Sequence, residues 1–172
     1  MPSANRRQLL RWGATVPAAA ALSACGFRLR QAPKYDFSAI RFEGVSGPVA
    51  QALNAELKAS GLAVLGAGAV PVGVQPVVLR VQADQRERTV VGQTATGEVR
   101  EVQLRHRWRF VVLTQQGREL IDTTDLLLER DIGFRETAVL PKQAEEDMLY
   151  REMRDDLVQQ MVRRLAAVRL PR

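Results

Sequence analysis

The chain is poor in the side chains that build metal centres and covalent catalysis: it has one cysteine, Cys25, and one histidine, His106. A lone thiol closes no disulfide within the chain, and a single imidazole without further soft ligands makes neither a zinc cluster nor a Cys-His pair. The sequence also lacks a P-loop, a G-x-G-x-x-G turn and a nucleophile elbow, so nothing in it cradles a nucleotide or activates a serine. These gaps argue against an enzyme and leave no cofactor to expect. No apolar run reaches the roughly 20 residues of a spanning helix. The nearest, from Gly13 to Ala24, is interrupted by Pro17.

The one cysteine sits at the end of that run, in Leu22-Ser23-Ala24-Cys25. Upstream are Arg6, Arg7 and Arg11, then an alanine-rich stretch from Val16, then small residues. This is the three-part layout of an export signal, closed by a lipobox. On this reading residues 1–24 are a signal peptide and Cys25 carries a thioether-linked diacylglycerol, a covalent lipid rather than a cofactor. Each buried methylene contributes about 0.8 kcal/mol, so several chains hold the protein to a membrane. Gly26 follows the cysteine where bacterial lipoproteins kept at the inner membrane have Asp, which points to the outer membrane. Arg6-Arg7-Gln8-Leu9-Leu10-Arg11 also resembles a twin-arginine signal, so both export routes stay open.

Loss of the signal removes three of the 25 basic residues and none of the 19 acids, and the net charge falls from +6 to +3. The pI of 10.4 therefore overstates the basicity of the exported protein. Export and this modest charge disfavour nucleic acid as a partner. The remaining length suits one domain with one core. Residues 25–34 read as a lipidated tether and 35–172 as the domain.

Alternation and helical spacing outline that domain. Ile40 and Phe42 alternate with Arg41 and Glu43 in a first strand. Ser46-Gly47-Pro48 starts a helix in which Val49, Leu53 and Leu57 recur, and Gly61 ends it. Leu62 to Leu65 is a candidate short strand, and Gly66 to Gly73 a loop. Val77, Leu79, Val81 and Ala83 form the buried face of the next strand, with Val78, Arg80, Gln82 and Asp84 opposite. After a turn over Gly92 to Gly97, Val102, Leu104, His106, Trp108, Phe110 and Val112 make an apolar row. A strand from Arg118 to Arg130 follows, with Leu120, Leu126 and Leu128 on one side and Asp125 and Glu129 on the other. A helix beginning after Pro141 has the stripe Leu149, Met153, Leu157, Met161 and Leu165, widened by Val158 and Val162. The expected fold is α+β: a two-layer sandwich of two helices on a mainly antiparallel four-stranded sheet.

His106 lies inside the apolar row and reads as a core histidine with a hydrogen-bond partner. Arg105, Arg107 and Arg109 share the opposite face of that strand, about 6.6 Å apart. Guanidinium forks at this spacing could grip phosphates of a lipid head, or could pair with Asp125 and Glu129 on the neighbouring strand. The matching parity of those acids favours pairing.

Cys25-Gly26-Phe27-Arg28-Leu29-Arg30 resembles the opening of mature members of the LptE (RlpB) family of lipopolysaccharide-assembly lipoproteins. Ser46 to Leu65 is similar to that family's first helix and short strand, Gly92-Gln93-Thr94-Ala95 to its hairpin turn, and Leu140-Pro141-Lys142-Gln143-Ala144-Glu145-Glu146-Asp147-Met148 to the start of its last helix. The resemblance implies a plug inside the β-barrel protein LptD, the two forming the translocon that places lipopolysaccharide in the outer leaflet. It also implies contact with the glycolipid. Lys142 matches a basic position of the family and is the first candidate for that contact, although a solvated helix-start lysine would look the same. Arg100, Arg105, Arg107 and Arg109 come next. The family's basic residue at the hairpin tip is replaced here by Val90-Val91-Gly92-Gln93.

Two other functions fit an anchored, non-catalytic domain. A lipid-carrying outer-membrane lipoprotein needs an apolar cavity of a few hundred cubic ångströms, for which 5% aromatic residues and two helices look too little. A structural envelope lipoprotein would bind no lipid beyond its own anchor.

Overall fold

The computed structural model describes residues 33–66, 68, 70–133 and 139–171, with the side chains of 139–141 left aside. Residues 1–24, expected to be a signal peptide, Cys25, expected to carry the lipid, and most of the expected tether 25–34 lie outside the described residues.

Among the described residues seven elements follow in order: β1 (Ala39–Gly44), α1 (Pro48–Ala59), β2 (Ala63–Leu65), β3 (Val77–Gln93), β4 (Val99–Leu113), β5 (Glu119–Gly133) and α2 (Val139–Ala167). The strands form one sheet in the order β2-β1-β3-β4-β5. The two helices and the α+β class match the expectation, but the sheet has five strands and is mixed. β1 runs parallel to both β2 and β3, whereas β3, β4 and β5 are antiparallel. The connectivity accounts for this: α1 carries the chain back between β1 and β2, and a helical return makes the two strands parallel. β2 is only three residues long, too short to show a period.

The apolar rows do what their spacing dictates. Val102, Leu104, His106, Trp108, Phe110 and Val112 are all fully buried. Val49, Leu53 and Leu57 of α1, and Met153, Leu157, Met161 and Leu165 of α2, are buried to the same degree. The main cluster joins both helices to β1, β3 and β4 around Trp108 and Phe110. A smaller one, Val102, Leu104, Ile132 and Met153, continues toward the hairpin end with Leu149 and Tyr150 against it.

β3 departs from the expected pattern. Leu79 and Val81 register with Val112 and Phe110, but Ala83 registers with Arg109 and Asp84 with Trp108. The irregularity between Val81 and Ala83 inserts one residue, and the strand's faces exchange beyond it. Asp84, expected on the outer face, turns to the helix side, as do Arg86 and Arg88.

The inversion completes the start of α1. Gly47, at the N-cap, brings no side chain, and the cap comes from Asp84. The N–H groups of Val49 and Ala50 donate to Asp84 Oδ2 at 2.9 and 3.3 Å. Asp84 Oδ1 lies 2.9 Å from His106 Nε2, both side chains being wholly buried. His106 is thus the core histidine expected, although its Nδ1 has no partner among the described residues. A Cβ at position 47 would collide with the Asp84 carboxyl, so glycine is required there by close approach.

Candidate functional site

The outer face of β3–β5 is a lattice of exposed ion pairs centred on the β4 arginines. Arg105 registers between Glu87 and Glu129. Its Nε donates to Glu129 Oε1 at 2.8 Å, and its Nη1 lies 3.7 Å from Glu87 Oε2. Arg107 reaches diagonally to Asp125, with Nε 3.1 Å from both carboxylate oxygens and Nη2 3.0 Å from Oδ2. Gln103 donates to Asp131 at 3.2 Å. Arg109, between Ala83 and Asp125 in register, is exposed and makes no ion pair among the described residues. Pairs of this exposure are each worth about 0–1 kcal/mol. A phosphate could therefore displace a carboxylate from Arg105 or Arg107 at small cost, and Arg109 needs no displacement.

Lys142 and Arg100 belong to a different region. Lys142 stands in the first turn of α2, its Nζ 2.9 Å from Glu145 Oε2. Arg100 stands near the start of β4, beside the turn at which Thr94 N–H donates to the Glu98 carbonyl. A register irregularity sets it, without a cross-strand partner on β3, between Glu101 opposite Gly92 and Val99 opposite Gln93. The five sequence candidates thus divide between the outer face and the hairpin end.

The β3 bulge adds residues to the hairpin-end group that sequence parity hid. Arg88 pairs with Glu146 at 3.2 Å. The Arg86 guanidinium lies 5.0 Å from the Tyr150 ring centroid, a cation–π contact. The Tyr150 hydroxyl donates to the Glu87 carbonyl at 2.7 Å, and its ring meets that of His106 edge-on at 6.4 Å. Burial pushes the Tyr150 phenol above its usual range and Glu146 adds to the shift, with Arg86 and Arg88 opposing it. The phenol therefore stays protonated and able to donate at neutral pH. These contacts seat the first turns of α2 on β3 and fix where Lys142 stands. The one signal of this arrangement in the sequence is the strand's continuation past Ala83 with both faces polar.

The fold and this charged face define a class: a small α+β domain with two helices on one face of a mixed sheet and an ionic lattice on the other. Among the described residues no cluster of His, Cys, Asp and Glu could hold a metal ion, and no helix is long and apolar enough to cross a membrane. The chain belongs to the LptE lipopolysaccharide-assembly family, whose pattern matches residues 32–165. No curated protein matches it. Solved structures do. Lipoprotein B of Nitrosomonas europaea is 26% identical, with 83% of this chain and 91% of that one covered and a TM-score of 0.67. A minor lipoprotein of Acinetobacter baumannii is 22% identical, with 81% and 99% covered and a TM-score of 0.61. Rare lipoprotein B of Shewanella oneidensis, 19% identical over 75% and 94%, has a TM-score of 0.60. The latter two share the fold.

Proposed function

We propose that this protein is an outer-membrane lipoprotein, anchored through acyl chains on Cys25, that joins the β-barrel LptD and occupies its lumen during lipopolysaccharide assembly. Family membership over residues 32–165 carries the reading. The outer face of the sheet supports it physically. Porin-type lumens are polar, and a face of exposed, exchangeable ion pairs can trade its partners for those of a polar wall. The layer between helices and sheet is filled by Leu53, Leu79, Trp108, Phe110, Leu157 and Met161, all fully buried. That filling favours a plug over a carrier of acyl chains.

Within this reading the cations contact the phosphates of the glycolipid at two places, Lys142 with Arg100 at the hairpin end and Arg105, Arg107 and Arg109 on the outer face. Guanidinium and ammonium donors suit such phosphates. The test is binding of purified lipopolysaccharide by the mature protein and by two variants, Lys142→Glu/Arg100→Glu and Arg107→Glu/Arg109→Glu. Weakened binding in either variant identifies the contact; wild-type binding in both removes the glycolipid role while leaving the plug role to be judged by the barrel.

A further inference from the structure

One end of the domain gathers cations that make no ion pair with a carboxylate among the described residues. The starts of β1, β2 and β3 meet there, with Ile40 opposite Val77 and the Ala63 N–H donating to the Ser38 carbonyl. The β4–β5 turn joins them, since Val78 registers with Leu113 and Leu113 with Glu119. Both helices end there: α1 leads directly into β2, and beyond α2 the Leu170 N–H donates to Asp36 Oδ2 at 2.8 Å. A recess of about 120 Å³ between Pro76, Gln115, Gln116 and Pro171 marks the middle of this end. The opposite end is the β3–β4 turn.

Lys34, Lys58, Arg118, Arg163, Arg164 and Arg169 stand at this end and are all exposed. None of them makes an ion pair among the described residues. The nearby acids are Asp36, Glu56 and Glu119, and from Leu157 to Arg172 the chain contains arginine but no acid. Arg163, Arg164 and Arg169 suit the negative end of the α2 dipole. Lys34 and Arg118 lie on no helix, so the dipole does not account for the cluster. At the hairpin end, in contrast, Arg88, Arg130 and Lys142 each have a carboxylate partner.

The chain enters the domain at this same end, at Pro33. Seven residues separate Pro33 from Cys25, among them Arg28 and Arg30 and no acid. Fully extended they span less than about 30 Å. An acylated Cys25 therefore confines this end, and not the hairpin end, near the bilayer. We propose that it is a membrane-apposed face that takes the anionic phosphate headgroups of the bilayer holding the anchor. The inference rests on the anchored-lipoprotein reading above. Each Lys or Arg within reach of an anionic surface favours contact by roughly fivefold, so neutralising three should lower the apposed population by about a hundredfold.

The experiment uses the lipidated protein, whose one native thiol is acylated, in vesicles of phosphatidylcholine with and without phosphatidylglycerol. A dye on Gln116→Cys reports the proposed face and a dye on Thr96→Cys the opposite end, by energy transfer to headgroup-labelled lipid. The expected result is stronger transfer from the position-116 dye in anionic than in neutral vesicles. It should be lost at about 0.5 M salt and in Arg163→Gln/Arg164→Gln/Arg169→Gln, while the position-96 dye stays remote. Lys58→Gln/Arg118→Gln, on other elements, should weaken transfer and serves if the α2 variant does not fold. Equal transfer in both lipids, or indifference to neutralisation, overturns the proposal. A bare Cys25 by mass spectrometry overturns the anchored reading and this face together, so the two failures are distinguishable.

Discussion

Replacing Asp84 by alanine tests the bulge and its buried junction together. The substitution strips the partner from the Val49 and Ala50 N–H groups and from His106 Nε2, in a place that excludes water. Loss of a helix cap costs about 1 kcal/mol, and an imidazole nitrogen left buried without a partner about 1–3 kcal/mol. The small cavity adds about 1 kcal/mol. The sum, about 3–5 kcal/mol, is a large share of the roughly 5–15 kcal/mol that holds such a domain. Urea unfolding of the exported domain, followed by circular dichroism, should show a lower midpoint at unchanged slope. Gly47→Ala should destabilise through the same carboxyl, by displacing it. The double variant should then be much less destabilised than the two single effects added, because neighbours sharing one interaction are not additive. A loss below 1 kcal/mol in Asp84→Ala, or full additivity with Gly47→Ala, would refute the junction.

Three further outcomes follow from the packing and the charges. Met161→Asp places an unpaired carboxylate on a fully buried stripe, and cooperative unfolding should disappear; an ordinary melting curve would show that the stripe is not core. Arg107→Ala breaks an exposed pair whose arginine side chain is 47% exposed, so stability should change by less than about 1 kcal/mol, and a larger loss in urea titration would mean the outer lattice stabilises the fold. Because the Tyr150 phenol is raised in the folded state, the unfolded chain gives up its proton first as pH rises. The domain should hold its stability below about pH 10 and lose it above. Tyr35, raised mainly by burial, contributes in the same window. Tyr150→Phe should flatten part of that alkaline loss, and an unchanged profile would contradict the shift.

Much of this architecture was legible in the residues because burial imposes a period on them. The β4 row and the α2 stripe each face a single layer, so alternation and helical spacing identified both. What escaped was information that periodicity does not contain. Ile40 and Phe42 alternate identically whether the neighbouring strand runs parallel or antiparallel, and Ala63–Leu65 is too short to alternate at all. The bulge at Gln82 carries no glycine to announce it. Beyond it both faces of β3 are polar, so nothing in Gln85, Arg86, Glu87 and Arg88 reveals which side meets α2. The site candidates were readable as charges but not as groups. The parity of β4 placed Arg105, Arg107 and Arg109 together, whereas only the sheet and the docking of Tyr150 show that Lys142 and Arg100 lie elsewhere.

The proposed function stands or falls on partnership with a barrel. The most direct measurement is to tag the mature C-terminus, solubilise outer membranes in mild detergent, and determine what co-purifies and in what ratio. A large β-barrel protein is expected in one-to-one amount. Recovery of the lipoprotein alone from intact outer membranes would contradict it.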